Sequence, residues 1–243
     1  MMLARLDRET LGYGQTAVLP GLSFALAPGE RVVLLGRSGA GKSTLLAAIF
    51  DRLDPGRMSA QGAARTAQGA SAQHDAARPQ RVALVPQDHA LVPQLSVLKN
   101  VLMGRLDDHG AFYNFTNLLR VRAADRAGVA EVLKDLDLSA HIDRPVQALS
   151  GGQKQRVALA RAWWRGGNVL IADEPVSAVD ETQARVLLDQ ARARFATSLL
   201  ALHDVEQARA FATRLLGLQR GGIRFDAPPN EVSDAEIAAL YAE

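Results

Sequence analysis

The stretch GRSGAGKS at residues 36–43 has the residue types and spacing of a phosphate-binding loop. It fits the pattern G-x-x-x-x-G-K-[ST] and lies between the apolar run VVLL and a helix-like segment. Glycines let backbone N–H groups wrap a polyphosphate, Lys42 can reach the terminal phosphates, and the Ser43 hydroxyl can ligate Mg²⁺. An ordinary glycine-rich turn would not need these flanks, so the stretch predicts a nucleotide site. Its predicted contacts are Gly36, Ser38, Gly39, Ala40, Gly41, Lys42, Ser43 and Thr44.

Two adjacent carboxylates, Asp173 and Glu174, follow the apolar run VLIA at 169–172. Strand ends in open α/β sheets line the ligand crevice, so this position favours a catalytic pair over a solvated acidic turn. Asp173 could hold the Mg²⁺ shell, and Glu174 could orient and deprotonate an attacking water. Nucleotide kinases, GTPases and helicases share these two motifs, so further residues must distinguish among them.

The stretch ALSGGQKQRVALARA at 148–162 is a second candidate anion site. A serine and two glycines run straight into a helix-like segment, and the N-terminus of a helix attracts anions through its N–H groups and its dipole. The chain therefore carries two phosphate pockets far apart in sequence, and the purpose of the second needs an explanation.

At LSGGQ, residues 149–153, the chain resembles the signature sequence of ABC ATPases. The family's other motifs follow in order along nearly the whole chain: VPQ with Gln87, SAVD at 177–180, and ALHD with His203. In that family two chains meet head to tail, and each ATP lies between one chain's phosphate loop and the other's signature. The resemblance therefore implies a homodimer in which the second pocket serves the partner's nucleotide. The residues carried over for that pocket are Ser150, Gly151, Gly152 and Gln153.

The resemblance also implies roles for single residues, and each role has a plainer alternative. Gln87 would contact Mg²⁺ and act as a relay, or it is a polar residue leaving a strand. His203 would sense the γ-phosphate, or it has a structural role at a strand end. Tyr13 would stack on adenine, or it caps a strand or fills a surface groove. Asp180 would act across the dimer interface, or it caps the following helix.

Composition and charge fit a globular protein with a substantial core. Hydrophobic residues make up 48% of the chain and charged residues 22%, and the formal net charge of +2 gives no reason to expect a nucleic-acid partner. The chain has no cysteine, which excludes disulfides and cysteine metal sites. Charged residues at positions 5, 7, 8 and 9 interrupt the first stretch, so we expect it not to act as an apolar leader, and no apolar run approaches the roughly 20 residues that span a bilayer. We expect a peripheral protein on the cytoplasmic side of the inner membrane.

The pattern of apolar runs predicts an α/β fold with a mostly parallel sheet. Short runs at 32–35, 82–85, 169–172 and 199–202 read as strands buried on both faces, with helices at 42–52, 151–165 and 180–195 between them. The first 30 residues suggest flanking antiparallel strands, with a turn at Pro28-Gly29, and LLGLQRGGIRF suggests a hairpin on Gly221-Gly222. We expect a single nucleotide-binding domain over 1–243.

Two segments stand apart from that alternation. Residues 55–80 are rich in Ala, Gln and Gly and read as a mobile loop or an eroded strand region. Residues 96–148 read as helical, which predicts a helical subdomain at about 88–165 inserted in the core. Its aromatic cluster Phe112-Tyr113-Phe115 is either core or a groove for a partner's helix, since ABC proteins dock their membrane subunits in this region. The pair Trp163-Trp164 is expected to pack.

The resemblance extends to a class of transporter. The chain has neither membrane spans nor a second phosphate loop, so the separate ATP-binding subunit of an importer fits best, with ATP and Mg²⁺ as cofactors. Three stretches resemble phosphonate-import subunits: QLSVLKNVLMGRL at 94–106, the aromatic cluster at 112–115, and GGIRFDAPPNEVSDAEIAALY at 221–241. The implied partners are transmembrane permease subunits and, indirectly, a solute-binding protein. An alternative is a non-transport ABC-type subunit of a soluble phosphonate-metabolising complex. A phosphotransferase is a poorer third option, since it would have no use for the second pocket.

Overall fold

A six-stranded sheet forms the centre of the molecule. The computed structural model describes residues 2–55, 65–66, 81–111, 113, 116–117 and 120–242. The sheet runs β5-β6-β7-β3-β8-β9, and every neighbouring pair is parallel except β8 with β9. The strands are β3 (Arg31–Leu35), β5 (Val82–Val85), β6 (Val169–Asp173), β7 (Thr197–Ala201), β8 (Arg214–Gln219) and β9 (Gly222–Ala227). The predicted α/β fold with a mostly parallel sheet is confirmed, because all four apolar runs form buried parallel strands.

A smaller antiparallel sheet, in the order β2-β1-β4, accompanies the central one. It consists of β1 (Ala4–Tyr13), β2 (Thr16–Leu26) and the short β4 (Arg65–Thr66). The predicted N-terminal antiparallel strands are thus confirmed. The Pro28-Gly29 turn leads from this sheet into β3 of the central sheet. Of the predicted 55–80 segment, only Pro55 and the two residues of β4 are described, and the remainder lies outside the described residues.

Each face of the central sheet is covered by its own core. In β3, Val32 and Leu34 belong to one core while Val33 and Leu35 belong to the other, and all four are fully buried. This is the burial that the unbroken apolar runs predict for a covered parallel sheet. The first core holds α1 (Lys42–Leu53) and the antiparallel strands, and the second holds the remaining helices.

The regular elements that the structure describes between β5 and β6 are helices. They form α2 (Val97–Leu102), α3 (Ala123–Asp135) and α4 (Gly151–Arg165), with 3-10 turns at Met103–Asp108, Ser139–His141 and Val146–Ala148. Three more helices follow: α5 (Glu181–Arg194), α6 (Val205–Phe211) and α7 (Asp234–Tyr241). Among the helices that the structure describes, none combines the length and apolarity needed to cross a bilayer.

The predicted hairpin near the C-terminus is present, with its turn one residue earlier than expected. Arg220 and Gly221 both have positive φ, at 50° and 78°, and Gly222 already belongs to β9. A two-residue turn with positive φ at both positions matches the right-handed twist of the flanking strands. The sequence favoured Gly221-Gly222 because glycine adopts such angles most easily, but Arg220 adopts one here.

Candidate functional site

The carboxyl ends of β3, β6 and β7 lie side by side and bring together residues that are distant in sequence. β7 pairs with β3 on one side and with β6 on the other, and Ala201 faces both Leu34 and Asp173. The phosphate loop leaves β3, the acidic pair ends β6, and His203 follows β7. We call residues 36–44, 173–174 and 203 the nucleotide edge. Ligands of open α/β sheets bind at such an edge.

The phosphate loop is closed by Lys42 and by the conformation of its glycines. The Lys42 ammonium donates hydrogen bonds to the carbonyls of Gly36 at 2.7 Å and Arg37 at 3.1 Å. Gly41, the residue before α1, has φ at 99°, a left-handed conformation that glycine adopts without strain. The backbone therefore turns tightly into α1, and the first N–H groups of that helix are directed at the loop, as an anion site requires.

Ser43 and Asp173 bind each other at the base of the loop. The Ser43 hydroxyl donates to Asp173 Oδ2 at 2.5 Å, and the Asp173 side chain is buried. Burial raises the pKa of Asp173, and the hydrogen bond from Ser43 opposes that rise. Burial likewise lowers the pKa of Lys42, against the attraction of Glu174 and Asp173. The site holds charged groups in a poorly solvated place, as functional sites commonly do.

Glu174 is held in an unusual backbone conformation beside His203. Its φ is 52°, and a left-handed conformation at a non-glycine residue costs on the order of 1–2 kcal/mol. Its N–H donates to the Ala201 carbonyl at 3.0 Å, and Glu174 Oε1 lies 2.6 Å from His203 Nε2. His203 is half exposed and Glu174 is mostly covered, so the pair lies where the nucleotide edge meets solvent.

Gln87 and Tyr13 lie outside this bonded cluster. Gln87 comes two residues after β5, whose Val85 faces Ala172 of β6, so it leaves the sheet at the same edge as the acidic pair. Its side chain is exposed. Tyr13 ends β1 at the tight turn to Thr16 and is 37% exposed. The geometry leaves Gln87 close to the sheet edge and Tyr13 available to a ligand, and their assigned roles stay predictions.

The signature residues 150–153, which we call the signature end, form the exposed N-terminus of α4. The Ser150 hydroxyl accepts from the Gln153 N–H at 3.3 Å, and Gln153 Oε1 accepts from the Ser150 N–H at 2.9 Å. This reciprocal capping box satisfies both side chains within the chain. In the part of the chain that the structure describes, no hydrogen bond or ion pair joins the signature end to the phosphate loop.

The two signature glycines have different surroundings. A Cβ added to Gly151 would meet nothing within 4 Å, whereas one added to Gly152 would lie 2.8 Å from the Ala178 carbonyl. Gly151 therefore faces open space, and Gly152 lets α4 approach the loop after the acidic pair. Asp180 in that loop caps α5 by accepting from the Gln183 N–H at 2.9 Å. The plainer alternative for Asp180 is thus observed, and its role across an interface stays a prediction.

Gln155, which was not among the predicted site residues, lies two residues past the signature end and is fully buried. Its Nε2 donates to the Glu174 carbonyl at 2.8 Å, and its Oε1 accepts from the Ala178 N–H at 2.9 Å. A signal was present: Gln155 falls in helical register with the buried positions Ala158, Leu159 and Ala162. A lone polar residue in an apolar helical stripe indicates a buried side chain with specific partners.

An apolar pocket of about 240 Å³ opens beside α2 and the C-terminal part of α4. Tyr113 lines it, stacks on His109 with ring centroids 4.0 Å apart, and donates to Asp125 at 2.6 Å. Phe112 and Phe115 of the predicted aromatic cluster lie outside the described residues. Trp163 packs edge-on against Phe195, as expected, and Trp164 lines the pocket.

Comparisons with known proteins agree with this arrangement. A family profile described as "ABC transporter" matches residues 19–177. The phosphonates import ATP-binding protein PhnC of Rhizobium meliloti is 34% identical over 241 residues, covering 98% of this chain and 86% of that protein. The hypophosphite import ATP-binding protein HtxD of Stutzerimonas stutzeri is 37% identical over 94% of this chain and 68% of its own length.

A solved structure gives the same result for the fold. A dimeric ATP-binding cassette in a post-hydrolysis state, bound to ADP and Pi, superposes with a TM-score of 0.71 at 26% identity. The match covers 93% of this chain and 98% of that one.

Proposed function

Because this chain belongs to the ABC transporter family of ATP-hydrolysing subunits, we propose that it powers an importer of phosphonate or a related phosphorus oxyanion. The observation that carries the ATPase part is the nucleotide edge, where Lys42 meets the acidic pair Asp173 and Glu174 although the pair lies far along the sequence from it. The solute class is supported by the relatives, which are named as phosphonate and hypophosphite import subunits.

In the proposed reaction, water attacks the γ-phosphorus of ATP, and the bond to the β–γ bridging oxygen breaks to give ADP and phosphate. Lys42 and the loop backbone hold the polyphosphate and spread its charge. Glu174 orients the water and accepts its proton, and His203, within hydrogen-bond distance of Glu174, senses the γ-phosphate. Glu174 is mostly covered, which suits a base inside the site. His203 is half exposed, which suits a γ-phosphate sensor at the solvent side of the site.

The oxygen atoms at the base of the loop fit Mg²⁺. Among the described residues no cluster of three His, Cys, Asp or Glu side chains could hold a metal ion. Mg²⁺ prefers few protein oxygens together with phosphates and water, and the buried Asp173 carboxylate beside the Ser43 hydroxyl is such a set. Ser43, Asp173 and Gln87 would hold the ion, which would neutralise phosphate charge.

The signature end completes the site of a second copy in this proposal. Its side chains are satisfied by their own capping box, which leaves the exposed helix N-terminus and the open face of Gly151 to contact an anion from outside the chain. Two chains meeting head to tail would bind two ATP molecules between them. Asp180, at the exposed start of α5, would then lie at the interface, and Tyr13 would stack on adenine.

The helices between β5 and β6 supply the second half of the proposal. We assign residues 88–165 to a helical subdomain of a single 1–243 domain, with the pocket at Tyr113 on the side that meets a transmembrane permease. A solute-binding protein would deliver the oxyanion outside, and this chain would work at the cytoplasmic face of the membrane.

The catalytic assignment is tested by Glu174→Gln. We expect Mg-ATP to bind normally while turnover falls at least about a hundredfold, the usual loss when a general base is removed. The variant should also form an ATP-dependent dimer, measured by analytical ultracentrifugation. Glu131→Gln, an exposed glutamate on α3, is the matched control and should change neither property. Normal hydrolysis by Glu174→Gln would remove the residue from its role.

The import assignment is tested by growth. Cells lacking this chain should fail on methylphosphonate or hypophosphite as sole phosphorus source and grow on phosphate. The wild-type chain should restore growth and Glu174→Gln should not. The rival assignment, a subunit of a soluble phosphonate-metabolising complex, predicts that labelled phosphonate still enters the deletion strain and accumulates unmetabolised. Uptake of labelled phosphonate therefore separates the two functions.

A further inference from the structure

We infer that Gln155 is a positioning residue that couples the signature end to the catalytic glutamate of its own chain. The inference rests on the proposed function, in which the signature end contacts the partner's ATP and Glu174 acts on the ATP of its own loop. Gln155 does not touch either nucleotide in this scheme. It acts through the backbone of residues 174–178.

The side chain of Gln155 matches the two backbone groups that it contacts. The Glu174 carbonyl can only accept a hydrogen bond and the Ala178 N–H can only donate one, and Gln155 meets both with a single side-chain amide. This pairing fixes the orientation of the amide, because a flipped amide would place its oxygen against the Glu174 carbonyl and its NH₂ group against the Ala178 N–H. Glutamate lacks the donor, and an apolar side chain lacks both groups. A glutamine of this length is therefore specifically required to bridge the two ends of the 174–178 turn.

The turn that Gln155 bridges begins in a strained conformation. Glu174 has a left-handed backbone conformation, which persists only where the surroundings impose it. Its N–H is fixed by Ala201 of β7, and its carbonyl is fixed by Gln155 and by Ser177, whose hydroxyl donates to it at 3.2 Å. Removing the Gln155 amide leaves the Glu174 N–H bonded to β7 but takes one hydrogen bond from the Glu174 carbonyl, which is thereby held less firmly.

A continuous helix links Gln155 to the signature end. Gln155 lies within the first turns of α4, two residues after Gln153, and Gly152 packs directly on the Ala178 backbone. Farther along the same helix, Arg161 donates to the carbonyls of His89 and Ala90 at 2.6 and 2.5 Å, just after Gln87. A tilt of α4 on contact with a partner's nucleotide would therefore move the Glu174 carbonyl as well.

The test compares Gln155→Met, which keeps length and volume, with the matched control Gln190→Met. Gln190 on α5 also donates to a backbone carbonyl of another helix, that of Asp135 on α3, and neither residue belongs to the nucleotide edge. We expect Gln155→Met to lower kcat roughly ten- to a hundredfold, since small misplacements of a catalytic group have effects of that size. The KM for Mg-ATP should change less than about twofold because the phosphate loop is untouched. Gln190→Met should leave both constants unchanged.

A second readout needs no turnover. Without nucleotide, amide hydrogen exchange over residues 174–180 should accelerate in Gln155→Met and not in Gln190→Met, because the Ala178 N–H loses its acceptor. In a Glu174→Gln background, Gln155→Met should still form the ATP-dependent dimer, but dimer formation should no longer protect residues 174–180. Retained protection would overturn the coupling.

The outcomes separate this inference from the proposed function. If Glu174→Gln is inactive while Gln155→Met keeps wild-type kcat, only the inference fails. If Glu174→Gln hydrolyses normally, the catalytic assignment itself fails. Should Gln155→Met not fold, Ser177→Ala takes its place: Ser177 is exposed and shares the contact with the Glu174 carbonyl. We expect a fall in kcat of roughly two- to fivefold from this single weakened contact, and an unchanged kcat would overturn the inference.

Discussion

The nucleotide edge and the signature end both present backbone N–H groups at the start of a helix, but they differ in what the rest of the chain adds. At the nucleotide edge the buried Lys42 and Asp173 converge on the loop from α1 and β6. At the signature end Ser150 and Gly151 are exposed, Ser150 and Gln153 cap each other, and Gln153 also contacts His141 at 3.0 Å. Buried charges that converge indicate a site largely built by one chain. An exposed, self-capped helix end indicates half of a site.

The largest effect that would test this contrast comes from Gly151→Asp. The new side chain would meet nothing within 4 Å of its Cβ, and an aspartate in the first turn suits the helix dipole, so the chain should fold normally. Its charge would repel a partner's phosphates, and a like-charge contact of this kind should lower steady-state ATP turnover roughly a hundredfold. ATP binding to the single chain, measured by calorimetry, should be unchanged.

Gly110→Asp provides the control, because Gly110 is also exposed and open around its Cβ. It should turn over ATP like the wild type. If Gly151→Asp weakened ATP binding to the single chain, the signature end would be part of the same chain's site, and the contrast between the two regions would be lost.

An intermediate effect is expected at the nucleotide edge, from Lys42→Ala. The lysine would make charge-assisted hydrogen bonds to the terminal phosphates, and losing them should raise the Kd for ATP about ten- to a hundredfold. Calorimetry on the single chain measures this directly, with exposed Lys134→Ala as the control. An unchanged Kd would mean that the nucleotide edge does not bind phosphate through its buried cation.

The smallest effect concerns the stability cost of the nucleotide edge. Burial raises the pKa of Asp173, so the folded chain binds a proton more tightly than the unfolded chain, and stability falls as pH rises above the ordinary value of 3.8. At pH 8 without Mg²⁺, Asp173→Asn should therefore raise Tm, by roughly 2–4 °C for each 1 kcal/mol regained. The gain should disappear toward pH 4.

Differential scanning calorimetry at both pH values measures this, and Asp180→Asn serves as the control. Asp180 is an exposed helix cap, and asparagine caps a helix as well as aspartate does, so its Tm should not move. A lower Tm for Asp173→Asn at pH 8 would mean that the nucleotide edge stabilises the chain and that its charges are not strained by burial.

Much of the fold was predictable because its signals are local. Unbroken apolar runs located β3, β5, β6 and β7, and the glycine before Lys42 and the serine before Gly151 marked where α1 and α4 begin. The phosphate loop and the acidic pair were identified in the same way, since their chemistry depends on residues adjacent in sequence. The hairpin turn was misplaced by one residue because arginine only rarely adopts a positive φ.

The contacts between distant segments were not predictable from local signals. The approach of Gly152 to Ala178 and the bridge from Gln155 to Glu174 depend on how α4 lies over the end of β6. A sequence shows that position 155 is polar within an apolar stripe, but it does not show which backbone groups the side chain contacts. The same holds for Asp180, where the helix cap is evident locally and a contact with another chain is not.

Alternate residues of β3 pack into the two cores on opposite faces of the sheet, and this limits which sequence changes the strand can accept. Each of its residues from Val32 to Leu35 fills a close-packed space on one face or the other, so a change of volume at any of them disturbs a packed interior. Arg37 and Ser38, at the crown of the loop that β3 supports, are exposed. Lineages descended from a common ancestor should therefore vary at the crown while the strand beneath it changes little.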